Sequence, residues 1–309
     1  MAPYLTRLTA RLAEGLARQP ATFRARHAQY IRACQNVDGG FSGRDPASDL
    51  YYTGFALRGL ALLDELTAEV AERAAGYLRQ RLDGSASVVD FFSLLYACGL
   101  VQLASGINVL SAAPADWPDR VAALLASFRT SDAGYGKTPG AAAGSTYHTF
   151  LVALCFQLLG RPLPGVDGAL KFVRGRRRED GGFVEIGPMK RSGTNPTAAA
   201  IGLLQICDAM DTPTKDGAAD FLSNLQSQEG GLQANARAPL ADLLSTFTGC
   251  WTLAEIAAPD RIDSAAALSY AKALERPEGG FHGGHWDGGF DVEYTFYGLG
   301  TMALLDSTP

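Results

Sequence analysis

The sequence predicts an all-α protein, a closed ring of six helical hairpins that together form an (α/α)6 toroid. Three observations carry that expectation: a recurring Gly-Gly-aromatic turn, a threonine that returns at near-constant spacing, and helical stretches that are apolar nearly all round.

The threonine is the clearest anchor. Thr53, Thr149, Thr197, Thr246 and Thr295 each stand in the first turn of an apolar stretch, and Leu94 takes the same place in the second repeat. The intervals are 41, 55, 48, 49 and 49 residues. Three residues after each anchor comes a small or short side chain (Ala56, Ala97, Val152, Ala200, Gly249, Gly298), as close packing of neighbouring inner helices would require. Four residues before it stands a cap type, Asp49, Asp90, Ser145, Asp242 or Asp291, with Gly193 in the fourth repeat.

Matching turns precede these helices: Gly39-Gly40-Phe41, Gly181-Gly182-Phe183, Gly230-Gly231-Leu232 and Gly279-Gly280-Phe281, with Gly134-Tyr135 a weaker copy. Such glycine pairs supply the positive φ that ends an outer helix. The second repeat, around Leu82-Asp83-Gly84, has lost the turn. Repeats of this size cannot bury their own apolar face and must stack side by side. Inner helices such as DFFSLLYACGLVQL and TYHTFLVALCFQLL need a second face covered as well, and closing the ring covers it. The competing architecture is an open superhelix of stacked hairpins. Residues 1–26 read as a separate helical extension in which Leu5, Leu8, Leu12 and Leu16 form an amphipathic stripe, docked on the outside of the toroid (27–309) or reserved for a partner.

Composition excludes several function classes. Of the 309 residues 47% are hydrophobic and 19% charged, with a net charge of −5 and the two signs interspersed, so phosphate-neutralising nucleic-acid binding is not expected. The five cysteines form no CxxC pair and sit mostly in apolar stretches, which suits a reducing compartment. No secretory signal and no transmembrane run of about 18 apolar residues is visible, and a cytoplasmic protein is expected.

The GGF turns, Gln35 and Gln226 just ahead of them, and YTFYGL at 294–299 resemble the β subunits of protein prenyltransferases, whose toroid is shared with squalene and terpenoid cyclases. The resemblance covers residues 27–305 and implies an apolar central cavity that holds an isoprenoid. It further implies binding of a prenyl diphosphate, transfer of the chain, and an α-type helical partner subunit. It also implies a zinc held by an Asp and a Cys two residues apart and by a later His. Asp242 matches the Asp, but Leu244 stands for the Cys and Tyr294 for the His. His282 and His285, three apart on a glycine-rich loop, could rebuild a zinc site with Asp242, and bonding to backbone carbonyls is their plainer role. For the diphosphate, the loops before the inner helices offer Lys190, Arg191 and Arg237, with His148 as a further donor.

Proton-initiated terpenoid cyclases of the same superfamily use an acidic motif at the start of an inner helix, and Asp291-Val292-Glu293-Tyr294-Thr295 occupies that place. Two residues before each anchor the chain reads Tyr51, Phe92, Tyr147, Asn195, Leu244 and Glu293, so Glu293 is the sole charge in that ring. A buried carboxyl there would have the raised pKa that alkene protonation requires. Both chemistries share an aromatic lining of Tyr51, Tyr52, Phe92, Tyr147, Phe247, Trp251, Tyr294 and Phe296. A non-catalytic toroid that carries a lipid or docks with a partner is the third reading.

Overall fold

The computed structural model describes residues 2–82 and 87–306, so the degenerate turn of the second repeat lies, apart from Leu82, outside the described residues. In chain order the first helices are α1 (Tyr4–Ala17), α2 (Ala21–Ala33), α3 (Leu50–Leu62), α4 (Ala68–Arg79), α5 (Val88–Ser105) and α6 (Trp117–Ser127). They are followed by α7 (Thr146–Leu158), α8 (Val166–Arg174), α9 (Thr194–Ile206), α10 (Thr212–Ser223), α11 (Leu243–Glu255), α12 (Ser264–Ala273) and α13 (Val292–Leu305). Two short antiparallel hairpins precede α3 and α13: β1 (Phe41–Ser42) with β2 (Ser48–Asp49), and β3 (Phe281–Gly284) with β4 (Asp287–Asp291). The expected alternation of outer and inner helices is present.

The chain forms two compact units, one of residues 1–7 and 122–273 and one of residues 8–121 and 274–309. In the first, inner helices α7, α9 and α11 pack side by side. In the second, α3 packs on α5 and also on α13, so the first and last repeats of the chain are neighbours. His27 fastens that seam: it is fully buried, its Nδ1 accepts from Gly280 N at 3.1 Å, and its Nε2 lies 3.2 Å from the Glu275 carboxylate.

The anchor threonines explain themselves through their hydroxyls. Thr53, Thr149, Thr197 and Thr246 each accept the backbone N–H of the turn aromatic or leucine at 2.9 Å and donate to the carbonyl four residues back at 2.7 Å. One hydroxyl thus satisfies a buried turn donor and ties it to the helix start, which neither valine nor leucine could do. Leu94 stands in the one repeat whose sequence lacks the turn.

Three expectations change in detail. The first glycine of each pair carries the positive φ (Gly39 +89°, Gly181 +85°, Gly230 +96°, Gly279 +94°); the second is needed for space in the first three, and Gly280 is itself at +84°. A Cβ on Gly40, Gly182 or Gly231 would strike Tyr77, Phe221 or Tyr270 of the following outer helix. In the fifth and sixth repeats the short residue after the anchor makes room first for the turn, since a Cβ on Gly298 would sit 2.3 Å from the Phe281 ring and one on Gly249 2.4 Å from Leu232. Finally, Asp49, Ser145, Asp242 and Asp291 are helix N-caps, but Asp90 is not: Ser87 caps α5 and Asp90 completes a capping box from the third helical position. Gln35 and Gln226 are structural, each bridging its turn carbonyl to the next outer helix, at Val70 and Asp263.

The leucine stripe of α1 is buried throughout. In the second unit Leu8, Thr9 and Leu12 share a pocket with Arg58, Tyr96 and Phe296 of the inner helices. In the first unit Tyr4 packs edge-on to Phe150 and Trp251. A boundary at residue 27 falls inside α2. Helix α5 is long and apolar enough to cross a membrane by length and composition, and in this fold it packs between α3 and α4.

Candidate functional site in the second unit

The start of α13 places Glu293 beside α3. The Tyr51 hydroxyl donates to Glu293 Oε1 at 2.6 Å, and the Tyr297 hydroxyl, one helical turn along, donates to the same oxygen at 3.1 Å. Oε2 accepts no hydrogen bond among the described residues. Burial pushes the Glu293 carboxyl above the ordinary glutamate range, with the Asp291 charge adding to the rise, while the two tyrosine hydroxyls and Arg44 oppose it. The group is therefore protonated further up the pH scale than a surface glutamate, yet its conjugate base has two donors waiting.

Asp291, two residues earlier, has a different task. It is almost wholly buried, its Oδ1 accepts the N–H of Tyr294 at 2.9 Å, and its Oδ2 pairs with Arg44 Nε at 3.1 Å. Arg44 also reaches Asp287 at 2.6 Å and stacks over the Tyr294 ring. The loop between β1 and β2 is thereby tied to the β3–β4 hairpin, and Asp291 is a cap and an ion-pair partner.

Aromatic rings continue from Glu293 along the inner wall. Tyr51 meets Tyr52 and Phe55 edge-on, Phe55 meets Phe296 and Tyr297, and Phe92 lies 5.9 Å from Tyr96. Beyond Phe55 comes Arg58, with its guanidinium carbon 4.0 Å from the Phe296 centroid and 5.4 Å from that of Tyr96. The second unit thus gathers Tyr51, Tyr52, Phe92, Glu293, Tyr294 and Phe296 from the sequence-predicted set. Tyr297, Phe55, Tyr96 and Arg58 were missed. Arg58 had a signal, because it is the only Lys or Arg in the six inner helices.

The remaining candidates belong to the first unit or to loops. Asp242 caps α11, with Oδ1 accepting from Ser245 N and Oδ2 from the Ser245 hydroxyl, and burial raises its pKa. Phe247 and Trp251 are buried on α11, and the Trp251 indole donates to the Tyr4 hydroxyl at 2.7 Å. Tyr147 is exposed at the start of α7 and stacks obliquely on His148, whose pKa burial and the Lys137 charge depress. Lys190, Arg191 and Arg237 lie exposed in the loops ahead of α9 and α11.

For zinc, Asp242 lies in the first unit and His282 and His285 in the second. His282 is half-buried in β3 with Nδ1 3.3 Å from the Gly289 carbonyl, and His285 is exposed in the hairpin turn. Among the described residues no three His, Cys, Asp or Glu side chains gather as a metal requires.

The prenyltransferase alpha-alpha toroid domain matches the chain over residues 16–79, 71–239 and 198–309. The chain belongs to that family. It is 33% identical over 135 residues to a drimenyl diphosphate synthase of Streptomyces showdoensis, a match covering 42% of this chain and 24% of that protein. The chain therefore spans about a quarter of that relative's length in the matched region. Among solved structures it is similar to protein geranylgeranyltransferase-I of Candida albicans in complex with GGPP, with a TM-score of 0.63, 16% identity and coverage of 91% of this chain and 90% of that one. It is equally similar to a type II terpene cyclase from Scytonema in complex with geranylgeranyl dihydroxybenzoate, with a TM-score of 0.62, 15% identity and coverage of 97% and 98%. These likenesses establish the toroid fold.

Proposed function

We propose that this toroid is an acid-initiated isoprenoid cyclase in which Glu293 is the proton donor. The observation that carries the reading is the Glu293 carboxyl, held with one oxygen between two tyrosine hydroxyls, the other without a hydrogen bond among the described residues, and burial favouring the protonated form. A drimenyl diphosphate synthase among the relatives supports it.

In the proposed reaction Oε2 carries the proton. A terminal alkene of the bound isoprenoid takes it with its π electrons, leaving Glu293 as carboxylate and a tertiary cation on the substrate. Hydrogen bonds from Tyr51 and Tyr297 strengthen as Oε1 gains charge, which favours the transfer. The neighbouring alkene attacks the cation to close a ring, and loss of a proton to water ends the sequence, so the product is an isomer of the substrate. The half-buried rings of Tyr51, Tyr52 and Phe92 offer π faces that stabilise the migrating charge by about 0.5–2 kcal/mol each. Asp291 and Arg44 position the hairpin and the start of α13.

The transferase alternative needs a thiolate-activating metal, and Asp242 spends both carboxylate oxygens on Ser245. The test is incubation with farnesyl or geranylgeranyl diphosphate without an acceptor. The expected product is a cyclic isomer, and Glu293→Gln lowers its rate by about 100-fold or more, the usual scale for loss of a general acid. No product until a thiol peptide is added as acceptor and then becomes prenylated, together with stoichiometric zinc that disappears in a His282→Ala, His285→Ala double variant, would establish the transferase.

A further inference from the structure

We propose that Arg58 seats the anionic head group of the substrate, a diphosphate, on the same wall of the second unit that carries the acid. The proposal rests on the cyclase reading above and adds the orientation of the substrate to it.

Arg58 is seven residues after Tyr51 on α3, two helical turns, so the two side chains share a face about 10 Å apart along the axis. Tyr51 holds Glu293, and Phe55 stands between, 4.9 Å from Tyr51 and with the Arg58 guanidinium carbon 5.1 Å from its ring centroid. The wall therefore reads acid, aromatic, cation.

The rings of Phe55, Tyr96 and Phe296 surround the guanidinium without accepting along its edges. Its five N–H donors make no hydrogen bond or ion pair among the described residues, although the side chain is half-buried beside Leu8, Leu12 and Leu100. A guanidinium in so apolar a pocket calls for an oxyanion, and a phosphate offers matching bidentate geometry. The Thr9 and Tyr96 hydroxyls, bonded to each other at 2.6 Å in the same pocket, leave one further O–H to donate within the lining. An isoprenoid bound by its head at Arg58 and with its distal alkene at Glu293 must fold within two helical turns, as ring closure demands.

The test is equilibrium binding of farnesyl diphosphate, farnesol and inorganic diphosphate to the full chain and to its Arg58→Met, Arg58→Lys and Glu293→Gln variants, with thermal unfolding of each as the control for folding. Wild type is expected to bind farnesyl diphosphate at least 10-fold more tightly than farnesol. Arg58→Met is expected to abolish that preference while leaving farnesol affinity unchanged, Arg58→Lys to retain part of it, and inorganic diphosphate to compete with farnesyl diphosphate in wild type but not in Arg58→Met. Glu293→Gln is expected to bind all three as wild type does, so failure of the acid assignment would show in turnover and not here. An undiminished preference in Arg58→Met, or equal loss for farnesol and farnesyl diphosphate, overturns the proposal.

Discussion

A carboxyl that hands a proton to an alkene must be protonated at working pH and still be a strong acid, and Glu293 meets both demands from opposite directions. Burial raises its pKa, and the tyrosine pair lowers it again by stabilising the carboxylate. Since only the protonated form reacts, cyclisation is expected to fall as pH rises through the elevated Glu293 value, a limb that a pH–rate profile measures directly. Tyr51→Phe removes the shorter of the two bonds. The carboxyl then becomes a weaker acid, the limb moves to higher pH, and the plateau rate drops by about 3- to 10-fold, within the range of a hydrogen bond to a charged group. A rate and profile unchanged in Tyr51→Phe would remove that residue from the acid's support. Glu293 was legible in the sequence because it is the lone charge in its ring of six positions. Tyr297 was not, since four consecutive aromatic or polar residues, Tyr294 to Tyr297, give no sign of which one turns toward the acid.

At the scale of the helical hairpin, the turn and the helix start act as one unit through the anchor hydroxyl. Thr53→Val keeps the shape but leaves the Phe41 N–H without its acceptor inside the protein. Equilibrium urea unfolding is expected to show a loss of about 1–3 kcal/mol, the desolvation penalty of a buried unpaired donor. The third repeat contains the opposite opportunity: Ala133 takes the place of the first turn glycine at φ +67°. Ala133→Gly is expected to raise stability by about 0.5–1 kcal/mol, the relief of a left-handed alanine exceeding the added chain entropy. Spacing exposed the hairpins, the turns and the caps, because periodicity survives in a linear string. It did not expose Ser87 as the cap of α5, since Ser85, Ser87 and Asp90 are all competent cap types and only the backbone conformation selects among them. Nor did it show α1 lying on inner helices, because an amphipathic stripe states that one face is buried and not against what.

At the scale of the molecule, membership of the toroid family follows from repeats that span the chain, and the chemistry follows from what one wall of it carries. The contact between first and last repeats depends on His27, which the sequence did not single out because its partners, Gly280 and Glu275, lie some 250 residues away. His27→Ala is expected to lower stability by about 2–4 kcal/mol through a lost buried side chain and an unpaired Gly280 N–H, read as a lower urea midpoint. The central claim is that Glu293 delivers a proton to carbon. The most direct measurement is the product of farnesyl diphosphate formed in deuterated water by wild type and by Glu293→Gln. The account predicts a ring-closed isomer carrying one solvent-derived deuterium from wild type and essentially none from the variant. A product without that deuterium, or equal formation by both proteins, would contradict it.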